Sequence, residues 1–213
     1  MGAKTWMLVY ADRKVSEALK AAPKLDREAT LQLATRLFPK DKLEPLEDGD
    51  LSYTCPPDEQ VHAACFPGVT IVAAKEFAID HPSKLPGSFI SNGSNGTIYL
   101  HAMHSVVDWF AFGKWTNGKF VRSLSLSPEN GVLEDIGVRL AFEEPFWAGK
   151  QPATGDADSE PYPLPFHPLE LGEAALKEFF GYSLEGPLEP SAVEPESIPL
   201  LRYKRKRRLW QLW

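Results

Sequence analysis

The sequence predicts an α+β fold, a mostly antiparallel sheet with helices packed on it. Three observations predict it: an Asn117-Gly118 pair between two β-rich runs, a continuously apolar run Thr5–Tyr10, and amphipathic stretches at residues 27–38 and 169–180. With 213 residues, 43% hydrophobic and 24% charged, the chain reads as one globular domain over residues 1–183. A Pro/Glu-rich arm follows at 184–201 and a basic, Trp-containing tail at 202–213.

Thr5–Tyr10 is rich in β-formers and apolar at every position, as in a strand covered on both faces. Asp12 is placed to cap a helix carrying Val15, Ala18, Leu19 and Ala22, which Pro23 ends. Asp26 caps a second helix, Arg27–Phe38, whose apolar side is Leu31, Ala34, Leu37 and Phe38. Lys42–Leu46 suits an edge strand, where Pro45 is tolerated. Residues 58–65 follow a Pro-Pro pair and read as a short helix, Val69–Ala74 as a strand, and Pro82–Ile90 as a helical turn. Ser91–Gly96 is a loop by composition.

Asn117-Gly118 demands a type I′ turn. A regular two-residue hairpin then sets Trp115 against Phe120, Gly113 against Arg122, Ala111 against Leu124 and Trp109 against Leu126. That face is core, broken only by Arg122. The other face carries Phe110 and Phe112, which need cover from a helix or a partner, and ends at Asp108. Val132–Ile136 and Arg139–Phe142 are expected to continue the sheet. Residues 150–163 form an acidic, mobile loop by composition, and Leu169–Phe180 is a helix with Leu171, Ala175, Leu176, Phe179 and Phe180 inward and Gly181 as its C-cap.

No apolar run reaches the roughly 18 residues needed to cross a bilayer, and no secretory leader is recognisable, so a cytoplasmic setting is expected. Cys55 and Cys65, ten residues apart, read as buried thiols rather than as a metal quartet. Net charge is −6, but six of the 23 basic residues lie at 202–208. The remaining 17 stand against all 29 acidic residues, so the body is acidic and the end basic. An acidic body disfavours nucleic acid on the folded surface.

Three constellations carry candidate chemistry. His101, His104 and Asp108 could hold Zn²⁺ or Fe²⁺ for a metal-dependent hydrolase if they lay on a helix. On strands, however, His101 and His104 point to opposite faces. Arg122, isolated on an apolar face, requires a carboxylate from Glu134, Asp135, Glu143 or Glu144. With Trp109 and Trp115 it could otherwise line a binding pocket. The basic end, Arg202, Lys204, Arg205, Lys206, Arg207 and Arg208 with Trp210 and Trp213, could make an adaptor for nucleic acid or an anionic membrane. There is no G-x-S-x-G elbow, dinucleotide fingerprint or P-loop, and no cofactor is expected.

The phrases Met1-Gly-Ala-Lys-Thr-Trp-Met-Leu-Val-Tyr-Ala, Tyr99-Leu-His-Ala-Met-His-Ser-Val-Val-Asp-Trp-Phe-Ala-Phe and Tyr162-Pro-Leu-Pro-Phe-His-Pro-Leu-Glu-Leu-Gly-Glu-Ala-Ala-Leu resemble a family of uncharacterised actinobacterial proteins, to about residue 201. The resemblance implies a bacterial protein with one coherent domain, and no mechanism. The expected function is a non-catalytic cytoplasmic binding or regulatory protein, with a protein as the expected partner.

Overall fold

The apolar run at the start of the chain becomes a strand near the middle of one large sheet. In a computed structural model, which describes residues 2–93, 95–153, 162–186 and 192–207, β1 (Lys4–Ala11) is buried along nearly its whole length. It is followed by α1 (Val15–Lys20), α2 (Arg27–Leu37), β2 (Asp41–Pro45), β3 (Gly49–Asp50), β4 (Gln60–Phe66), β5 (Val69–Ala73) and α3 (Gly87–Ile90). The chain continues through β6 (Thr97–His104), β7 (Trp109–Thr116), β8 (Lys119–Ser127), β9 (Gly131–Gly137), α4 (Glu144–Trp147), α5 (Pro168–Phe180) and β10 (Pro199–Arg207). The strand order is β2-β10-β4-β5-β1-β6-β7-β8-β9, with β3 paired to β10. Every named pair is antiparallel. The α+β expectation is met.

Two cores sandwich the sheet. On one side α1, α4 and α5 bury Val15, Leu19, Phe146, Leu171, Leu176 and Phe180 against Met7, Val9, Phe110, Phe112 and Leu124. On the other, α2 and α3 with the turn around Phe77 bury Leu33, Leu37 and Phe89 against Leu8, Val61, Trp109 and Trp115. Cover on both faces explains why β1 tolerates no alternation. It also supplies the helix that Phe110 and Phe112 required.

Several local expectations hold. Asp26 caps α2, its Oδ1 accepting from the Ala29 amide at 2.9 Å. Asp26→Ala is therefore expected to cost about 1 kcal/mol, measured as a lowered urea midpoint with unchanged slope. An unaltered midpoint would show that the cap contributes nothing. Pro45 lies on the edge strand β2, and Gly181 caps α5 in the left-handed region.

Others are corrected. Asp12 does not cap α1: Lys14 occupies that position without a side-chain bond, while the Asp12 carboxylate accepts from Arg13 Nε at 3.2 Å. Ala22 lies beyond that helix. Leu31 is exposed, and the buried side of α2 is Thr30, Leu33, Ala34 and Leu37. Residues 60–66 are a strand, not a helix. The helix-favouring Ala63-Ala64 pair is overridden because β5 and β10 both bond to this segment. Residues 139–142 turn away from the sheet. Of the expected acidic loop, residues 154–161 lie outside the described residues.

The hairpin turn is as expected, with positive φ at Asn117 and Gly118, but its register is not. Trp115 faces Phe120, after which Lys114 faces Arg122, Phe112 faces Leu124 and Phe110 faces Leu126. Val121 is an extra residue in a β-bulge, and every β8 side chain beyond it changes face. The physical reason is local. The space beside Gly113 is filled by the Trp115 indole and Pro82, leaving no room for a guanidinium. Across the bulge, Gly137 at φ 91° lets β9 close against the Val121 carbonyl, where a Cβ would lie 2.2 Å away.

The largest correction concerns the end of the chain. Residues 199–207, expected as part of an arm and a tail, form β10, an internal strand between β2 and β4. Alternate residues Leu201 and Tyr203 are buried in the core beneath α2. A run of cations hid this because only every second side chain enters that core.

Candidate functional site

The bulge decides the fate of Arg122. Its side chain is fully buried. Nε and Nη2 donate to the two oxygens of Glu143 at 3.0 and 2.5 Å, and Nη1 donates to Asp135 and to the Ile136 carbonyl at 3.1 Å. These bonds hold the guanidinium charged despite the opposing effect of burial. Glu143, itself fully buried, also accepts from the Leu140 amide at 2.8 Å. The arrangement clamps β8 and β9 to the turn before α4. Four of the five N–H groups of Arg122 are thus committed to protein acceptors, and the side chain is wholly shielded from solvent, so it is placed as a structural ion pair and not as an anion site.

The rest of the expected pocket lies on the opposite face. Trp109 and Trp115 belong to the other core, and Trp109 Nε1 donates to Ser125 Oγ at 3.2 Å. Glu134 points there too, accepting from the Ser83 amide (2.9 Å) and hydroxyl (2.6 Å). The six residues therefore split into an ion-pair cluster of three, Arg122 and Glu143 buried and Asp135 at the surface, and a separate group.

His101 and His104 take opposite faces of β6, as strand parity requires. His101 is fully buried. Its Nε2 meets the Gly172 carbonyl at 3.0 Å, and its Nδ1 lies 2.6 Å from Thr5 Oγ1. A carbonyl only accepts, so Nε2 carries the proton and Nδ1 accepts from the threonine. No lone pair remains for a metal. Burial pushes its pKa down to about 4. His104 stacks on Trp6 at 6.0 Å. Asp108 sits in the β6–β7 turn at φ 47°, 3.5 Å from His167. Among the described residues no group of three or more His, Cys, Asp and Glu could hold a metal.

A different place has the form of a binding site. A cleft of about 900 Å³ opens at one end of the sheet, where β1 begins and β6 turns into β7. Segments 2–6, 52–57, 105–106, 183–186 and 194–196 meet there. Its walls are largely apolar, with Trp6, Tyr53, Pro57, Val106, Leu184 and Pro195. Thr54 bridges to Thr5, and its carbonyl accepts from the Trp6 amide at 2.9 Å, so segment 52–57 is anchored where β5 stops. Trp6 Nε1 donates to the Pro56 carbonyl at 3.0 Å, fixing the indole.

Charge in the cleft is divided. Lys4 lines one wall, paired in register with His104 across β1 and β6, and Lys75, outside the lining itself, brings its Nζ to 4.7 Å from the Trp6 ring. Burial, then Lys4 and Lys75, hold His104 below the usual histidine range. Neither lysine forms an ion pair among the described residues. The opposite wall carries Glu194, Glu196 and Glu185, the last accepting from the Ala3 amide at 3.0 Å. Cys55 lines the cleft as a free thiol, and burial raises its pKa, so it is a poor nucleophile. Cys65 is also free.

Sequence reasoning missed this cleft because its five segments are far apart and none carries a motif. Of the expected tail contacts, Arg202, Lys204, Arg205, Lys206 and Arg207 belong to β10, whereas Arg208, Trp210 and Trp213 lie outside the described residues. Arg205, only partly exposed, is engaged within the fold instead of offered to a partner: Nε donates to Asp41 at 2.7 Å and the two Nη groups to Glu76 at 3.0 and 2.6 Å.

Fold and site together define a single-sheet α+β protein with a ligand-sized, charge-divided cleft at one end of the sheet. The chain belongs to a family of unknown function (DUF6928), whose sequence profile matches residues 5–203. No curated protein and no solved structure matches it. No helix among the described residues is long and apolar enough to cross a membrane.

Proposed function

We propose that this chain is a non-catalytic binding protein of the actinobacterial cytoplasm, and that its ligand occupies the cleft beside Trp6 and Tyr53. The ligand is a small molecule with a flat apolar body and one anionic group. The observation that carries this reading is the pairing of apolar walls with two cations, Lys4 on the wall and Lys75 beside the Trp6 indole, neither with a carboxylate partner among the described residues. Apolar walls supply affinity and a few placed charges supply orientation. Two free cysteines and the family resemblance support the cytoplasmic setting. The regulatory output would pass to a protein partner.

Anilinonaphthalene sulfonate, an aromatic anion, is the probe. Saturable binding at one site is expected, weakened about tenfold, or about 1.4 kcal/mol, by Lys4→Gln and by the cleft-filling Val106→Trp. Equal affinity in both variants and the unaltered protein would remove the cleft as the site.

A further inference from the structure

The folding of the basic end into a strand creates a surface that a disordered tail would not have. Along β10, Arg205 turns inward and is neutralised by Asp41 and Glu76. Arg202, Lys204 and Lys206 alternate with it and project from the opposite side of the sheet. Cross-strand neighbours on that side are Lys42 and Glu44 of β2 and Gln60 and His62 of β4. Four cations thus face one carboxylate. Glu44 is shared, 2.7 Å from Lys206 Nζ and 3.4 Å from Lys42 Nζ. Lys204 has no ion pair among the described residues, and the buried Nε of Arg202 has no hydrogen-bond partner. Lys42, Lys204 and Lys206 are exposed, while α2 packs on the other side through Leu33 and Leu37. At the inner end of this strip Tyr53, half exposed, leans on His62 with ring centroids 5.8 Å apart.

We propose that this face of β10, β2 and β4 binds a single-stranded polynucleotide, with Lys204, Lys206, Lys42 and Arg202 on its phosphates and the Tyr53 ring available to a base. Residues two apart on a strand are separated by roughly 6.5–7 Å, of the same order as successive phosphates in an extended polynucleotide strand. The flat, extended row of cations suits such a chain, and a nearby exposed aromatic gives a stacking surface. An anionic membrane suits it less. Binding there gains from apolar side chains set among the cations, and of the large exposed hydrophobic residues only the amphipathic Tyr53 lies at this strip: Leu31 is on α2, and Val106, Val107, Phe120, Val121, Val132, Ile136 and Val138 lie on other strands and turns. The contact is electrostatic and sequence-tolerant, an exception to the net charge of −6 carried by the whole chain.

The test is fluorescence anisotropy of a labelled oligothymidylate titrated with the full-length protein over a series of KCl concentrations. For single strands the slope of log affinity against log salt is about −0.7 per phosphate neutralised, so three or four contacts predict a slope near −2 to −3. Lys204→Glu with Lys206→Glu, both at exposed positions, is expected to weaken binding at least tenfold at low salt. The milder Lys204→Gln with Lys206→Gln is expected to flatten the slope by about 1.4. Lys119→Gln, exposed at the β7–β8 hairpin and remote from β10 in the strand order, should leave both quantities unchanged. An unaltered slope in the glutamine pair would overturn the proposal. So would tighter binding of a duplex, binding that vanishes on removal of residues 208–213 while 202–207 are intact, or variant-sensitive binding to phosphatidylserine vesicles without binding to the oligonucleotide.

Discussion

Arg122→Ala is expected to destabilise the protein by about 3–5 kcal/mol, the cost of leaving a buried charge without its partner. Removing the guanidinium strands Glu143, which is fully buried, and strips Asp135 of its principal contact. For a chain of this size that corresponds to a fall in melting temperature of roughly 6–20 °C. Arg122→Met with Glu143→Leu should recover most of the loss, because well-packed apolar pairs commonly match a buried ion pair. The check is a thermal and urea melt of all three proteins. A single variant that melts with the unaltered protein would show that the clamp contributes nothing. A double variant as weak as the single one would locate the loss in backbone contacts, such as that to the Ile136 carbonyl.

Acid is expected to unfold the protein through two buried histidines. Burial depresses His101 to about 4 and, with Arg202 acting in the same direction, His62 to about 4. Unfolding returns each to about 6.5. Between these values the unfolded chain binds more protons than the native one, so stability is complete above pH 6.5 and is lost as pH falls through 4. The loss is on the order of 3 kcal/mol for each histidine. Urea melts across this range should show it. His101→Gln is expected to be weaker at every pH but flatter with pH, since it has no imidazole to charge. Parallel pH curves for variant and unaltered protein would refute a titrating His101.

Much of the scaffold was legible in the sequence where local rules act alone. The Asn117-Gly118 turn, the Asp26 cap, the inward face of α5 with Gly181 beyond it, and the edge position of Pro45 each follow from φ limits, orphaned amides or side-chain periodicity. The need of Arg122 for a carboxylate was also legible, since the cost of an unpaired buried charge does not depend on topology. Asp135 and Glu143 were among the residues named for it.

The candidate site was not legible to the same degree. A single bulged residue, Val121, moved Arg122 to the face opposite Trp109 and Trp115, and no local signal marks that bulge. It is set by what fills the space beside Gly113 and by where Glu143 lies, both non-local facts. The cleft depends on five segments that converge only in three dimensions.

By itself the sequence determined the class of fold, the main turn, the caps at Asp26 and Gly181 and the burial of most apolar strands. These follow from interactions that span a few residues. Tertiary structure alone decided that residues 60–66 and 199–207 are strands, because pairing on both sides supplies backbone bonds that outweigh weak local preference. It alone turned an expected basic tail into an ordered ladder of cations, since which of its side chains face solvent depends on the neighbours of the strand and not on their order in the chain.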